Sequence, residues 1–190
     1  MHIITRSPLE SQGTNVNLGL GERSVRKVGV RHAGRIGSKL GYKISGQFYS
    51  GNDWEYVDPV EEAAKAADPA LRGRDFGLER RSGSVRLDYR ANDDLSAVFA
   101  AGYNSADNIE LTGLGAGLTQ GWALGYYQAR FLYKDWFAQI YQNWSDAGDT
   151  FLLRNGDPIV DNSKMTAMQV QHSASLGVRQ DFTYGVDLLY

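Results

Sequence analysis

Apolar and polar residues alternate along most of this chain, and the clearest alternation runs from Gly121 to Trp144. Apolar or aromatic residues occupy every second position for long stretches on both sides of a two-residue break, Lys134-Asp135. They are Ala123, Tyr127, Ala129, Phe131 and Tyr133 before the break, and Trp136, Ala138, Ile140 and Trp144 after it. A period of two is the signature of a strand with one apolar and one polar face. The stretch therefore predicts a β-hairpin with a tight turn.

The arms of this hairpin are long, and aromatic residues mark their ends. Each arm has roughly ten or more residues, which is about what a tilted strand needs to cross a bilayer, whereas strands of soluble proteins usually have about five or six. Tyr133 and Trp136 lie beside the turn, and Trp122 and Trp144 lie at the far ends. This spacing is typical of the two aromatic belts of a membrane barrel. The hairpin alone fits a half-buried sheet of a soluble protein equally well.

The same alternation predicts seven further strands and so about nine in all. They cover residues 14–20, 25–36, 40–50, 84–90, 95–103, 165–176 and 181–190. In the second of these, Lys27, Arg31 and Arg35 share one parity. Each would cost roughly 2–4 kcal/mol facing lipid near the bilayer midplane, so this parity must face water. Residues 2–8 predict a short strand, followed by a linker over residues 9–13.

The predicted connections alternate in length. Short turns fall at residues 37–39, 92–94, 134–135 and 177–180, and long connections at residues 52–81, 109–120 and 145–163. In the first long loop, Asp58 and Pro59 predict the start of a short helix, as N-cap and first helical residue. Residues 109–120 read as a glycine-rich loop. Short turns at one end and long loops at the other are typical of outer-membrane barrels; the short turn at residues 21–24 is an exception. The asymmetry favours a membrane barrel.

Composition narrows the function classes. The 190 residues include no cysteine, which excludes disulfides and thiolate metal sites. The formal net charge of -2 gives no electrostatic footprint for nucleic acid. No run approaches the ~20 apolar residues of a membrane helix. A membrane location therefore requires a closed barrel, in which all backbone groups are hydrogen-bonded.

No catalytic or cofactor motif stands out. The three histidines, His2, His32 and His172, follow no metal-ligand spacing. The glycines at positions 113, 115 and 117 lack the Lys-Ser/Thr of a phosphate-binding loop, and no G-x-S-x-G occurs. We therefore expect neither an enzyme nor a bound cofactor or metal.

Two stretches resemble a known family. The opening HIITRSP is similar to the end of the plug domain of TonB-dependent outer-membrane receptors, which commonly closes with Asn-Ile-Ile-Thr before the first barrel strand. Ile3, Ile4, Thr5 and Arg6 match, while His2 replaces the asparagine and the glycine-valine lead-in is missing. The closing RQDFTYGVDLLY resembles strands of that family in which a Tyr-Gly pair precedes an aspartate. The order of strand, short turn, strand and long loop also resembles the start of the family's barrel.

The resemblance implies an all-β fold: a long antiparallel meander, part of a large transmembrane β-barrel, with one short helix in an extracellular loop. Residues 1–12 would be the end of the plug domain and a linker, and residues 13–190 the first part of the barrel. Nine strands are fewer than the 22 of large outer-membrane transporters, so the chain is expected to be a piece. The resemblance also implies that the protein lies in the bacterial outer membrane and contacts its lipid. A TonB complex would supply the energy by acting on a plug that this chain does not contain.

The implied function is import of a scarce nutrient such as a siderophore-iron complex, cobalamin or an oligosaccharide. The candidate ligand-binding residues lie in the predicted loop over residues 52–81. Two aromatic residues could stack on a ligand, Trp54 and Tyr56, and four basic residues could attract an anionic chelate, Arg72, Arg74, Arg80 and Arg81. A smaller passive outer-membrane barrel, either porin-like or adhesin-like, and a soluble all-β binding domain are the alternatives.

Overall fold

The computed structural model describes residues 5–190, which form one antiparallel β-sheet and one α-helix. In chain order the elements are β1 (Gly13–Gly21), β2 (Val25–Ile36), β3 (Leu40–Asn52), α1 (Pro59–Ala67), β4 (Gly77–Arg90), β5 (Leu95–Thr112), β6 (Gly115–Tyr133), β7 (Trp136–Asp146), β8 (Phe151–Leu152), β9 (Lys164–Leu176) and β10 (Gln180–Leu189). The nine predicted strands are confirmed, and the short β8 is an addition. The predicted all-β meander with a single short helix is therefore the fold.

The sheet is open. Its neighbour order is β1, β2, β3, β4, β5, β6, β7, β9 and β10, with β8 paired to β6 off this path. Each long strand pairs with the next long strand in sequence, so every connection is a hairpin and none crosses the sheet. Over residues 5–190, β1 and β10 are the two edges and do not pair with each other.

The register separates the sheet into two faces. One row of cross-strand partners runs through Val16, Val30, Gly46 and Gly83, and the adjacent row runs through Asn17, Gly29, Gln47 and Ser82. The face of the first row, which we call the apolar face, also carries Leu18, Val28, Ile44, Leu87, Phe99, Phe131, Ile140, Met168, Val170 and Val186. The other, the polar face, also carries Asn15, Arg31, Lys43, Ser84, Arg86, Asn104, Gln128, Arg130, Gln139, Gln169 and Asp187.

Nothing within residues 5–190 covers most of the apolar face. Strands contact only their neighbours in the sheet, and no second layer packs on them. Leu18 is 77% exposed, Phe131 44% and Val186 62%. A sandwich would bury these side chains against a second sheet, so this sheet is not half of one within the described chain.

The sheet curls towards its polar face. Asn17 on β1 and Asn143 on β7 line the same cavity, of about 670 Å³, together with Gln47, Ser82 and Tyr126 on strands between them. Residues six strands apart can share one cavity only if the sheet bends around it. The polar face is therefore the inside of a trough.

The predicted loop over residues 109–120 is wrong. β5 and β6 continue as paired strands to Thr112 and Gly115, and only Gly113 and Leu114 form the turn. Gly115 has φ +129°, a conformation that glycine adopts readily. The other glycines of the stretch suggested a loop, but Gly117 stands inside a strand where Ile159 and the Phe151 carbonyl approach its backbone closely.

Two other predicted connections need correction. β4 begins at Gly77, seven residues before the predicted strand, so Arg80 and Arg81 are strand residues, not loop residues. The connection over residues 145–163 contains β8, which pairs with β6 at Gly117 and Leu118. The short strand predicted over residues 2–8 is not formed at residues 5–8. Its remaining part, with His2, Ile3 and Ile4, lies outside the described residues.

The predicted helix is confirmed. Asp58 is the N-cap of α1, and its Oδ1 accepts hydrogen bonds from the Val60 N–H at 2.8 Å and the Glu61 N–H at 3.4 Å. Pro59 occupies the first turn, where its missing N–H costs nothing. The helix therefore begins where local sequence alone placed it. In the described part of the chain, no helix combines the length and the apolar character needed to cross a membrane.

Candidate functional site

The N-terminal segment, residues 5–12, lies on the polar face of β2, β3 and β4 and is held there by basic side chains. Arg31 donates to the Ser11 carbonyl at 2.6 Å, and Arg35 Nε donates to the Leu9 carbonyl at 2.9 Å. Arg86 reaches the hydroxyl and the carbonyl of Thr5, at 2.5 and 3.3 Å. The Ser7 carbonyl accepts hydrogen bonds from within the segment, whereas basic side chains of the sheet satisfy the carbonyls of Thr5, Leu9 and Ser11.

An ion pair on β4, between Arg86 and Asp88, also binds the N-terminal segment. Arg86 binds Asp88 with two hydrogen bonds of 2.5 and 2.9 Å, and Ser7 Oγ donates to Asp88 Oδ2 at 2.6 Å. Asp88 is only 6% exposed. The carboxylate therefore has three donors, which is what a buried charge requires. The segment also buries Pro8 and Leu9 against the sheet.

Three of the four predicted belt aromatics lie on the apolar face. Tyr133 and Trp136 are cross-strand partners at the short-turn end, and Trp144 lies at the other end with its ring centroid 5.9 Å from that of Tyr103. Trp136 also pairs with His172 on β9, with 4.3 Å between the two ring centroids. Trp136 and Trp144 are eight residues apart, about 27 Å along a strand. An outer-membrane barrel has an apolar band about 25 Å tall.

Trp122 does not belong to this belt. It pairs with Ala106 and shares the polar-face parity of β6 with Gln128 and Arg130. Its indole N–H donates to Ser145 Oγ at 3.0 Å. The prediction failed because it used the position of Trp122 along the hairpin and not its parity.

The candidate ligand residues of the first long connection contact other protein groups. Arg74 forms a two-bond ion pair with Glu61 on α1, at 2.6 and 2.8 Å, with both side chains nearly buried. The hydrogen bond that Arg74 donates to the Glu61 carboxylate raises the pKa of Arg74 above its usual value. The Arg74 guanidinium also lies 5.2 Å from the ring centroid of Tyr56, and that of Arg23 lies 4.7 Å from the centroid of Trp54. Trp54 and Tyr56 thus have cationic partners from this chain.

The other three basic candidates are dispersed. Arg72 stacks on Phe151 at 3.6 Å and contacts Asp149 Oδ2 at 3.2 Å. Arg81 pairs with Glu79 on the apolar-face parity, beyond the Trp144 level, whereas Arg80 lies on the polar-face parity of β4. The structure therefore does not bring the four arginines together into one anion-binding cluster.

A small core covers the outer part of the long β5–β6 hairpin. Phe151 and Leu153 pack on Ala116 and Leu118, with Ile109 beside them. Leu118 is 4% exposed, whereas Phe131, on the same face of β6 nearer the short turn, is 44% exposed. The apolar side of β6 is thus covered by protein at its outer end and bare nearer the short turn.

A second cavity, which we call the outer cavity, lies on the polar side of the same hairpin. It has a volume of about 370 Å³ and opens beside the trough, with which it shares Asn104 and Leu124. Its other lining residues are Ala106, Asn108, Glu110, Thr112, Gly117, Thr119, Trp122, Ser145, Thr150 and Ile159. Glu110 is its single charged lining residue. The outer cavity therefore has a mixed lining with a single charged group, and one aromatic side chain lines it.

One buried polar atom in this wall has no partner. Thr119 is 2% exposed, and its Oγ1 makes no hydrogen bond with any described residue. The neighbouring Thr150 hydroxyl, by contrast, donates to the Ala147 carbonyl at 2.5 Å. An unpaired buried hydroxyl costs about 1–3 kcal/mol; this one is enclosed within the wall and its oxygen does not reach the cavity surface.

The sequence held a signal for this cavity. Asn104, Ala106, Asn108, Glu110 and Thr112 continue the period-two pattern of β5 past Tyr103. The prediction of a loop over residues 109–120 hides this pattern, so Trp122 is the one residue of the outer cavity that the sequence analysis lists as a candidate. Within residues 5–190, no three His, Asp or Glu side chains gather in a way that could hold a metal ion.

Comparison with protein-family models, with curated proteins and with solved structures finds no match for this chain.

Proposed function

We propose that this chain is a wall segment of a TonB-dependent transporter in the bacterial outer membrane, which imports a small nutrient. Lipid covers the apolar face between the two aromatic rows, and the polar face lines the interior through which the nutrient passes. The chain acts by binding and guiding the nutrient and catalyses no reaction.

The observation that carries the proposal is a contrast within one hairpin. Above the Trp144 level, the chain itself covers the apolar side of β6 and leaves Leu118 4% exposed. Below it, Phe131 and its neighbours on β5, β7 and β9 are bare. Apolar patches of this extent mark contact with a partner or a membrane. The aromatic residues that bound the bare zone favour a membrane.

The N-terminal segment supports the receptor interpretation over a smaller passive barrel. It lies on the polar face near the short-turn end, and Arg31, Arg35 and Arg86 bind it there. From Thr5 onwards the segment thus lies on the interior side of the wall, where the resemblance expects a plug. A soluble binding domain has no comparable reason to leave the apolar face of nine strands uncovered.

The open edges fit the same proposal. β1 and β10 carry unpaired backbone groups along their outer sides, and lipid satisfies no backbone hydrogen bond. In a membrane, both edges therefore pair with further strands.

Two neighbouring residues on β9 test the proposal. Met168 lies on the apolar face and Gln169 on the polar face. The natural protein that contains residues 1–190 is prepared with Met168→Cys or Gln169→Cys, labelled with an environment-sensitive fluorophore, and placed in vesicles of brominated phosphatidylcholine. We expect strong quenching at position 168 and weak quenching at 169. Equal quenching at both positions, or a protein that stays folded and monomeric in plain buffer, contradicts the proposal.

A further inference from the structure

We propose that the polar face of β2, β3 and β4 binds a carboxylate side chain from a further part of the same polypeptide. The inference rests on the proposed function, which makes the polar face an interior wall, and adds a specific contact to that wall. The binding residues are Arg31, Lys43, Ser45, Ser84 and Arg86, which we call the basic site.

The register brings these five side chains together in two neighbouring rows. In one row Arg31 of β2 pairs with Ser45 of β3, and Ser45 pairs with Ser84 of β4. In the next row, nearer the short turns, Lys43 pairs directly with Arg86. Residues directly opposite each other have Cβ atoms about 4.5–5.5 Å apart. The three cations and two hydroxyls therefore share one small area of the polar face.

Lys43 and Arg86 are like charges in directly opposite positions, an arrangement that destabilises a sheet. Arg86 compensates by binding Asp88, with hydrogen bonds of 2.5 and 2.9 Å. The half-buried Lys43 instead donates to the carbonyl of Arg6, at 3.3 Å. It forms no ion pair with any carboxylate of residues 5–190. Within this part of the chain, Lys43 thus lacks the charged partner that Arg86 has.

The N-terminal segment covers part of the basic site without neutralising it. Its partners for Arg31 and Arg86 include the carbonyls of Ser11 and Thr5, at 2.6 and 3.3 Å. A carbonyl satisfies a hydrogen bond but leaves the full positive charge in place. Asp88 is the one carboxylate that pairs with these cations in the described residues, so positive charge remains in excess. A half-buried excess attracts an anion more strongly than the same charge in bulk water.

The free donors of the basic site suit a carboxylate. The hydroxyl oxygens of Ser45 and Ser84 lie 2.7 Å apart, so one donates to the other and one hydrogen remains free. A carboxylate has two oxygens, which can accept from this hydroxyl and from the Lys43 ammonium together. Arg31, Ser45 and Ser84 also line the trough cavity of about 670 Å³, which gives a side chain access.

Continuity with the N-terminal segment favours a polypeptide as the source of the carboxylate. Residues 5–12 are already a piece of polypeptide bound to this face, and Arg31 and Arg86 contact both that segment and the open area beside it. Further polypeptide packed against residues 5–12 therefore lies over the basic site. An aspartate or glutamate there supplies the charge that the backbone carbonyls do not.

The test is cross-linking of the natural protein that contains residues 1–190 with a water-soluble carbodiimide, which joins an amine to a carboxylate in direct contact with it. We expect an amide between Lys43 Nζ and an aspartate or glutamate of the same polypeptide outside residues 5–190, identified by mass spectrometry. Lys27 is the control, because it lies on the same face with Gly19 and Tyr49, not a cation, directly opposite. It should form no such amide.

A second measurement separates a bound carboxylate from a solvated cluster of cations. Lys43→Met should make hydrogen exchange of the peptide that carries the cross-linked carboxylate about tenfold faster, the effect of losing a charged hydrogen bond. Lys43→Arg should keep this exchange slow, and Lys27→Met should leave it unchanged. If Lys43 only repels Arg86, Lys43→Met leaves the exchange unchanged or slows it, and this result overturns the inference.

Three other results also overturn the inference. They are the absence of a Lys43 cross-link, a cross-link only to Asp88, Glu10 or another protein, and saturable binding of inorganic phosphate that Lys43→Met abolishes, since a free anion then occupies the basic site. The quenching at positions 168 and 169 is measured on the same preparations. Lipid contact without the Lys43 cross-link therefore refutes this inference alone, whereas equal quenching at both positions refutes the proposed function.

Discussion

Leu9 lies directly against the backbone of Gly41 on β3. A Cβ placed at position 41 would stand 3.0 Å from the Leu9 backbone nitrogen and 3.0 Å from its Cγ and Cδ2. Leu9 is 6% exposed and Pro8 is fully buried. The absence of a side chain at position 41 is therefore what lets the N-terminal segment lie flat on the polar face.

Gly41→Val should detach this segment while leaving the sheet intact. The added side chain meets backbone as well as the Leu9 side chain, so the segment has to move away. Trypsin cleavage after Arg6 should become faster by tenfold or more, about the effect of 1.4 kcal/mol of lost docking free energy. Gly29→Val is the control on the same face, because the nearest atom to a Cβ there is 3.8 Å away. Equal cleavage rates in the two variants would contradict this role of Gly41.

Asp88→Ala should also loosen the N-terminal segment. The cause here is the loss of a buried carboxylate, whereas in Gly41→Val it is a steric clash. The substitution removes the acceptor of Ser7 and leaves the nearly buried Arg86 without its carboxylate. We expect a loss of about 3 kcal/mol, since breaking one partner out of a buried pair costs roughly 3–5 kcal/mol. Hydrogen exchange of residues 5–12 measures it.

The comparison for Asp88 is Arg90→Ala. Arg90 contacts Glu10 of the same segment at 4.0 Å, but both side chains are more than half exposed. Exposed pairs contribute about 0–1 kcal/mol, so exchange should hardly change. If Arg90→Ala loosens the segment as much as Asp88→Ala, burial of the Arg86–Asp88 pair is not what holds it.

The strands and the two faces could be predicted from the sequence because a period of two needs no tertiary information. The neighbouring residues Lys27 and Val28, one charged and one apolar, are enough to predict which face of β2 is polar and which is apolar. The continuation of β5 and β6 through residues 109–120 could not be predicted so easily. Glycine is common in turns, but it is also common in strands whose backbone is approached closely by another segment. Gly117 pairs with Glu110 on β5 and with Leu152 on β8, and Leu152 is 35 positions away in sequence.

The arginines of the first long connection show a second limit. Arg72 and Arg74 are two residues apart, and nothing local indicates that one finds Phe151 and the other Glu61. The outer cavity has the same property: Trp122 and Ser145 meet only because β6 and β7 pair in this register. Contacts that depend on the register between distant segments cannot be predicted from a short stretch of sequence.

Met168→Lys and Gln169→Lys should differ in stability although they are neighbours. Met168 lies on the apolar face between Ile140 and Leu188, whereas Gln169 lies between Gln139 and Asp187. A lysine at position 168 should cost about 2–4 kcal/mol in a bilayer. At position 169 it faces the polar side and an opposite charge, so the change should be within about 0.5 kcal/mol. Guanidinium unfolding in lipid vesicles measures both. Similar losses at the two positions would be inconsistent with lipid on the apolar face.

Arg74→Met should release α1 from the irregular segment that precedes β4. The Arg74–Glu61 pair has side chains only 13% and 12% exposed, and the substitution leaves Glu61 nearly buried without its partner. We expect a local loss of about 3 kcal/mol, seen as faster hydrogen exchange over residues 59–67. Arg81→Met is the matched control, because Arg81 is 66% exposed. Fast exchange in both variants would mean that the helix is held by other contacts.

Low pH should loosen the connection that follows β7, and the protonation of Asp161 should determine the pH at which this happens. The hydroxyl of Ser145, followed by the side chain and backbone N–H of Ser163, lowers the pKa of Asp161 below its usual value of 3.8. A carboxyl whose pKa is lower in the folded state stabilises it at pH values above the unfolded pKa, and this contribution is lost as the pH falls through the folded pKa. The connection should therefore hold from neutral pH down to about 4 and loosen below it.

Asp161→Asn should remove this pH dependence. The amide cannot ionise, so the variant loses the charge-assisted hydrogen bonds at every pH, and its exchange at Ser163 and neighbouring amides, corrected for the intrinsic effect of pH, should be equally fast at pH 6 and pH 3. In the natural chain the corrected exchange should rise only below about pH 4. Ser145 also accepts the Trp122 N–H, so the indole NMR signal of Trp122 should shift over the same range. A Trp122 signal that stays constant while Asp161 titrates would show that the two contacts of Ser145 are independent.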